Sequence, residues 1–248
     1  MKIIVKREKN IATVIISNRE KKNALSMSMF EELNREVLKL NSDKDIDLVF
    51  FKGEGSSFSS GAFLEELIKF PSTESARDYA SLMELTIGNI FNMKKTTIAL
   101  VDGYALGAGL AVIIACDIRI FTKRAKLGIP AVRISAIFPA NSTRRLVADV
   151  GMSRAKDLLL TGKIIDAEEG YRIGIVNYLA DFNKLEEKGF EISNKILKAP
   201  VLALELTKKT VNNIVETTTI TYSSDNFAFL YSTAEWHKRI WGFLNPKD

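Results

Sequence analysis

Residues 97–122 run TIALVDGYALGAGLAVIIACDIRIFT, and their order decides the fold class. Thr97 to Val101 is a short, unbroken apolar run of strand length, which predicts a strand buried on both faces. A glycine turn, Gly103 to Gly109, follows at once. Gly107 to Ala115 then reads as a helix of small residues, and Asp117 to Thr122 returns as a strand. Strand, turn, helix and strand in that order make a βαβ crossover, which argues for a parallel sheet rather than a sandwich. The pattern repeats upstream. Asp47 to Lys52 (DLVFFK) is a second buried strand, bounded by Gly53 and Gly55. It is followed by the loop GEGSSFSSGA (53–62) and a helical stretch from about Thr73 to Met93.

Working outward, residues 2–6 and 11–16 are rich in Ile and Val and are separated by Arg7-Glu8-Lys9-Asn10, a hairpin signal. From Ser26, Met29, Phe30, Leu33, Val37, Leu38 and Leu40 recur at helical spacing, with Glu31, Glu32, Arg35 and Glu36 on the other face. Beyond about residue 140 the spacing is helical over 143–149, 153–160, 166–172, 183–198, 200–215 and 225–243. Only Ile175 to Tyr178 looks extended there. No Pro/Gly/Ser linker divides the halves, so the C-terminal part reads as a helical layer on an α/β core. The last helix carries Phe227, Phe229, Leu230, Tyr231, Trp236, Trp241, Phe243 and Leu244. That aromatic surface needs either its own core or another subunit.

Composition narrows the function classes. The chain has 248 residues, 46% of them hydrophobic, with Lys+Arg 35 against Asp+Glu 30, one Cys and one His. Charged residues at 26% exclude a disordered chain and predict a soluble globular one. One Cys and one His leave little for a zinc site, a disulfide or a thiol relay. A net charge of +5 permits an anionic ligand without demanding nucleic acid. The N-terminal run is broken by Lys6, Arg7 and Lys9, unlike a signal peptide. The most apolar run, Ala105 to Cys116, falls short of the roughly 20 residues of a membrane span. A cytoplasmic protein is expected.

Glycines between Gly103 and Gly109 allow a sharp turn and leave free N–H groups where the helix begins. The dinucleotide fingerprint GxGxxG with an acid about 20 residues on is not met, since Asp117 follows Gly109 too soon. No Gly-Lys-Ser/Thr follows either, which excludes a P-loop. On these glycines alone a structural turn is the simpler reading. Ser57 to Leu64 alters the balance, because it is a second strand-to-helix loop from another strand of the sheet. Two such loops bring two sets of N–H groups to the carboxyl edge, where α/β proteins bind ligands. Paired N–H donors are an oxyanion hole in kind.

Several motifs stand in order along nearly the whole chain. They are Lys22-Asn23-Ala24-Leu25, Phe58-Ser59-Ser60-Gly61-Ala62, Val101 to Gly109, Ala115-Cys116-Asp117-Ile118-Arg119-Ile120, Leu160-Thr161-Gly162 and Gly174-Ile175-Val176-Asn177. Together they resemble the enoyl-CoA hydratase/isomerase (crotonase) superfamily. The resemblance implies an α/β fold, a crotonase-like spiral of repeated ββα units with a helical C-terminal trimerisation region. The core is expected over 1–195 and the oligomerisation helices over 196–248. It implies an acyl-coenzyme A thioester as ligand and no separate cofactor, coenzyme A being part of the substrate. It implies a homo-oligomer, trimer or hexamer, without a nucleic-acid or membrane partner. By position, the backbone N–H groups of Ala62 and Ala108 would hold the thioester oxygen. Lys22, Ala24, Ser60, Gly61, Phe63, Leu64 and Gly107 would border the coenzyme A moiety.

The chain departs from the family where chemistry is done. The two glutamates that hydratases of this family carry are replaced by Ala111 and by Ala131 after Pro130. Hydration of a conjugated double bond needs a base for water and an acid for the enolate carbon, and alanine supplies neither. Phe63 stands where an Asp is usual. Asn141 and Ser142, in the loop Ile137 to Thr143, have two readings, facing substrate or capping the next helix. Glu84 and Tyr79 lie on the helix after the first loop, where the resemblance implies catalytic groups in some members of the family, but a solvated helix face is the simpler reading. Cys116 reads as an inert core thiol and His237 as structural or solvated. Arg133, Arg144 and Arg145 are either phosphate contacts or surface charge. An enolate-stabilising thioester enzyme, with decarboxylation as natural chemistry, competes with a non-catalytic thioester binder or oligomeric scaffold. A serine hydrolase is disfavoured, because no Gly-x-Ser-x-Gly occurs and the only His is near the C-terminus.

Overall fold

The chain opens as a hairpin of β1 (Lys2–Glu8) and β2 (Ile11–Ser17), with Lys9 at φ 53° in the turn. The computed structural model describes residues 1–216, 228 and 231–245. Phe227, Phe229 and Leu230 therefore lie outside the described residues. Beyond the hairpin, β3 (Leu48–Gly53), β4 (Thr96–Val101), β6 (Ile118–Thr122) and β9 (Tyr178–Ala180) continue the sheet, each parallel to its neighbour, in the order β1-β2-β3-β4-β6-β9. The expected strands are thus present and parallel. Their apolar runs serve two cores. Val49, Phe51, Ala99 and Val101 enter the main one, while Leu48, Phe50, Ile98 and Leu100 enter a second on the other face.

Helix α1 (Met27–Ser42) is capped by Ser26, whose hydroxyl accepts from the Met29 N–H, and buries Met29, Phe30, Leu33, Val37 and Leu40. The short α2 (Leu64–Leu67), α3 (Thr73–Phe91) and α4 (Ala108–Ile114) follow their strands. Helix α5 (Ala140–Thr161) contains both expected segments, 143–149 and 153–160, joined through Gly151 at φ 77°. After it come α6 (Ala167–Ile173), α7 (Leu185–Ile196), α8 (Val201–Glu216) and α9 (Ala234–Leu244).

A second sheet corrects the sequence reading. β5 (Tyr104–Leu106) lies inside the expected glycine turn and pairs with β7 (Lys126–Gly128), which pairs with β8 (Ile164–Asp166). Three-residue strands are too short to show a period, and β8 falls in the short gap between the expected helical segments 153–160 and 166–172, overlapping the second only at Asp166. The extended segment expected at Ile175 to Tyr178 is instead the approach to β9, which begins at Tyr178.

Two of the quoted motifs lock the layers together. The Asp117 carboxylate accepts from the Thr97 N–H and hydroxyl and from Lys208 of α8, at 2.8, 2.9 and 2.8 Å. Arg119 donates to the carbonyls of Ile175 and Cys116. Cys116 is an apolar core residue, its thiol pushed up to about 12 chiefly by burial. Among the described residues no helix is long and apolar enough to cross a membrane.

At the end of β4, Asp102 accepts hydrogen bonds from the Thr122 hydroxyl (2.7 Å) and Arg124 Nε (2.8 Å). Burial alone would raise its carboxyl, but these bonds and the guanidinium charge hold it below the ordinary value. A depressed carboxyl stabilises the fold fully above its unfolded value, near 3.8, and this contribution is lost as pH falls through the folded value. Asp102→Asn should therefore cost about 1–3 kcal/mol near neutrality. Denaturant unfolding at several pH values should also show its stability changing less between about pH 4 and pH 2 than the wild type's does.

Candidate functional site

The segment Ser57 to Phe63, which leaves β3, is held by backbone on both sides. Phe58 and Ser59 donate to the carbonyls of Asp102 and Tyr104, at 2.8 and 2.9 Å, and Leu106 donates to Ser59 at 3.0 Å. On the other side Ser60 donates to Lys22, Leu25 to Gly61 and Phe63 to Leu25, at 2.9, 2.8 and 2.9 Å. These bonds bring Lys22, Ala24, Ser60, Gly61, Ala62, Phe63 and Leu64 into one place, beside Gly107 and Ala108. Side chains secure the segment. Asn23, fully buried at φ 59°, donates through its amide to the carbonyls of Glu54 and Ser57, at 2.9 and 2.7 Å. Ser59 Oγ donates to the Asn23 carbonyl at 2.8 Å, and Asn23 Oδ1 accepts from the Asn18 N–H.

Two N–H groups are left over. Gly61 and Phe63 both turn to Leu25, so the alternation of the ladder turns the Ala62 N–H to the opposite side. Ala108 is the first residue of α4, where an N–H has no partner one turn back. Among the described residues neither N–H donates a hydrogen bond. The loops approach closely. Gly61 lies at φ 105°, and a Cβ placed on it would sit 3.0 Å from the Leu106 carbonyl oxygen and 3.6 Å from the Ala108 nitrogen.

The surroundings sort the remaining candidates. Lys22 is exposed, with its ammonium 4.9 Å from the centre of the Tyr104 ring. Ala24 is buried, and Phe63 and Leu64 are half-buried where α2 begins. Tyr79 is not on a solvated face, as sequence reading had it. It is buried, donates to the Leu25 carbonyl at 3.3 Å and so backs the ladder beside Ala62, its phenol pushed up chiefly by burial. Ala111 is fully buried one turn beyond Ala108. Ala131 is half-buried in the 3-10 turn Pro130–Ile134, and both pack in the main core. Arg145 is neither surface charge nor at this edge, since it is buried with its guanidinium 4.0 Å from the Phe91 ring centre.

The terminal aromatics divide. Trp236 and Ile240 are buried within this chain, where α9 packs on α2 and on the Pro130–Ile134 turn. His237 stands edge-on to Trp236 and Tyr231, ring centres 4.9 and 5.1 Å apart, in keeping with a structural role. Trp241 and Phe243 remain 59% and 63% exposed.

A mixed spiral of this kind, with two glycine-lined loops meeting at the sheet's carboxyl edge, defines a crotonase-type fold. The sequence model of the enoyl-CoA hydratase/isomerase family matches residues 6–245, so the chain belongs to that family. It is 30% identical over 249 residues to the short-chain-enoyl-CoA hydratase of Clostridium acetobutylicum, covering 99% of this chain and 95% of the relative. It is 31% identical, with the same coverage, to the crotonyl-CoA hydratase of Syntrophomonas wolfei. The solved structure of an enoyl-CoA hydratase from Bacillus anthracis superposes with a TM-score of 0.83 at 28% identity, covering 98% of this chain and 95% of that one.

The tight approach at Gly61 has a measurable consequence. Gly61→Ala forces a side chain into a left-handed φ against the Leu106 carbonyl and should cost about 1–3 kcal/mol in denaturant unfolding. A variant as stable as the wild type would mean that the two loops do not meet as described.

Proposed function

We propose that this protein binds an acyl-coenzyme A thioester and stabilises its enolate between the backbone N–H groups of Ala62 and Ala108. The observation that carries this reading is the pair of unused N–H groups on two loops that approach within van der Waals contact. Fixed donors aimed at a developing oxyanion are worth roughly 3–4 kcal/mol each, because they need no reorganisation as charge appears. Lys22, Ala24, Ser60, Gly61, Phe63, Leu64 and Gly107 border the coenzyme A moiety in this reading.

Ordinary hydration does not fit the residues. With alanine at 111 and 131, the site has no pair of carboxylates there to activate water and to protonate the enolate carbon. Decarboxylation of a carboxylated acyl thioester stays within reach, because the electrons of the breaking C–C bond pass to the thioester oxygen without a base. The competing reading, a thioester binder without turnover, rests on the same two alanines. A panel of enoyl-, malonyl- and hydroxyacyl-CoA substrates separates the two.

Crotonyl-CoA hydration should be weak or absent, and Ala111→Glu combined with Ala131→Glu should raise it, each proton-transfer group being worth about 10²–10⁴ in rate. Wild-type turnover at the level of ordinary hydratases would overturn the assignment of the missing glutamates.

We also propose self-association through the C-terminal helices. Val201, Leu202, Leu206, Val211 and Ile214 of α8 are exposed, and Trp241 and Phe243 are exposed on α9. Light scattering at micromolar concentration should give a multiple of the 27.7 kDa chain mass, and a monomer would refute the proposal.

A further inference from the structure

Helix α3 presents two working faces. On one, the Thr86 hydroxyl reaches the Phe30 carbonyl, Asn89 donates to Asn34 at 2.8 Å, and Tyr79 meets the Phe30 ring edge-on, all of which bind α1. The other turns to α5, where Phe91 underlies Arg145. Glu84 lies two turns before Phe91 and therefore shares that face. Its carboxylate accepts from Asn141 Nδ2 at 3.1 Å and, at 3.4 Å, from the Asn141 N–H. Arg144 donates to Asn141 Oδ1 at 3.0 Å, so both ends of the amide are engaged and its orientation is fixed. Helix α3 also packs against α4, the helix that Ala108 opens and that carries Ala111.

The other carboxylates on elements that frame the site turn to solvent, to Lys21 or to the start of α1. Glu74 and Asp78 are exposed, Glu65 is paired with Lys21 at 2.8 Å, and Glu66 accepts from the Met27 N–H at 2.9 Å. Helix α4 and the Pro130–Ile134 turn carry no carboxylate. From this geometry we infer that Glu84, held by Asn141, is the proton-transfer carboxylate of the site, standing on α3 in place of the groups absent at Ala111 and Ala131. The inference rests on the enolate reading above. In the forward step a Glu84 oxygen takes the proton from the carbon α to the thioester. The C–H electron pair passes to the thioester oxygen between the Ala62 and Ala108 N–H groups. In the reverse step the carboxylic acid returns a proton to that carbon. No other reactant is consumed.

The structural rival is a helix cap, because Pro139 at the start of α5 offers no side-chain acceptor to its first N–H groups. Deuterium exchange separates the two. With butyryl-CoA in D₂O, the wild type should incorporate deuterium at the α carbon, read by mass spectrometry. Glu84→Gln keeps one of the two oxygen acceptors that Asn141 uses and should lose about 10²- to 10⁴-fold in exchange rate, with butyryl-CoA affinity nearly unchanged and the protein still folded at the assay temperature. Glu84→Asp should retain part of the rate. Asn141→Ala, which removes a positioning residue, should lower kcat for exchange and leave KM in place.

Exchange by Glu84→Gln at the wild-type rate would overturn the inference, as would losses that follow the thermal midpoint across all three variants. Calorimetry with butyryl-CoA distinguishes the levels of failure. A wild type that binds but exchanges no deuterium removes the role of Glu84 and leaves thioester binding intact. A wild type that binds nothing removes the thioester reading and Glu84 with it.

Discussion

The strand-like segment 57–63 is the constraint on which the site depends. Its backbone is paired to 102–106 on one side and to 22–25 on the other, and neither partner can shift without breaking bonds of ordinary length. This pairing sets which N–H groups are consumed and which are spare. Asn23 fixes the same segment from the side with two amide donors and a backbone carbonyl. A buried amide left unpaired costs about 1–3 kcal/mol, so the loop is penalised for adopting another path. For the proposed oxyanion site this ladder would supply the rigidity, since the donors are main-chain N–H groups of Ala62 and Ala108 and owe nothing to the alanine methyls.

That ladder is seated by contacts at the opposite edge of the sheet. Asp117 collects Thr97 of β4 and Lys208 of α8, while Arg119 grips the Ile175 carbonyl ahead of β9. Charged groups this well hydrogen-bonded and this little exposed resist displacement because the alternative is an unpaired charge in the interior. The helical C-terminal region is thereby tied to the sheet. The family motif around residues 115–120 is explained by architecture and supplies no group to the carboxyl edge.

The sheet was legible in the sequence because buried parallel strands write continuous apolar runs. Leu48 to Phe51 and Ile98 to Val101 do so plainly, their alternate residues serving two different cores. The second sheet was not legible, since β5, β7 and β8 are three residues each and one lies inside a glycine motif. The neighbourhood of Ala62 and Ala108 came from motif order. Their unused N–H groups followed only from knowing which backbone groups were already taken. Tyr79 was misread as solvated because helical spacing gives a face without saying which of two neighbours covers it. Trp236 was readable as needing a core, but only the packing of α9 on α2 made that core its own chain.

The two alanines bear on the proposed chemistry while the fold stays that of the family. Ala111 is buried in the main core and Ala131 is half-buried against it, so both fit the packing, while on the proposed reading neither offers a group for acid–base chemistry. In the proposed role, the Glu84 carboxylate stands on α3, an element distinct from α4 and from the Pro130–Ile134 turn. Its orientation comes from Asn141 at the start of α5 rather than from α4, the helix that Ala108 opens. One carboxylate can take a proton and return it, whereas adding water needs a second group to hold the nucleophile. On the proposed reading, therefore, this residue set suits enolate formation and quenching better than hydration, and the difference lies in the number of proton-handling groups rather than in how the thioester would be bound.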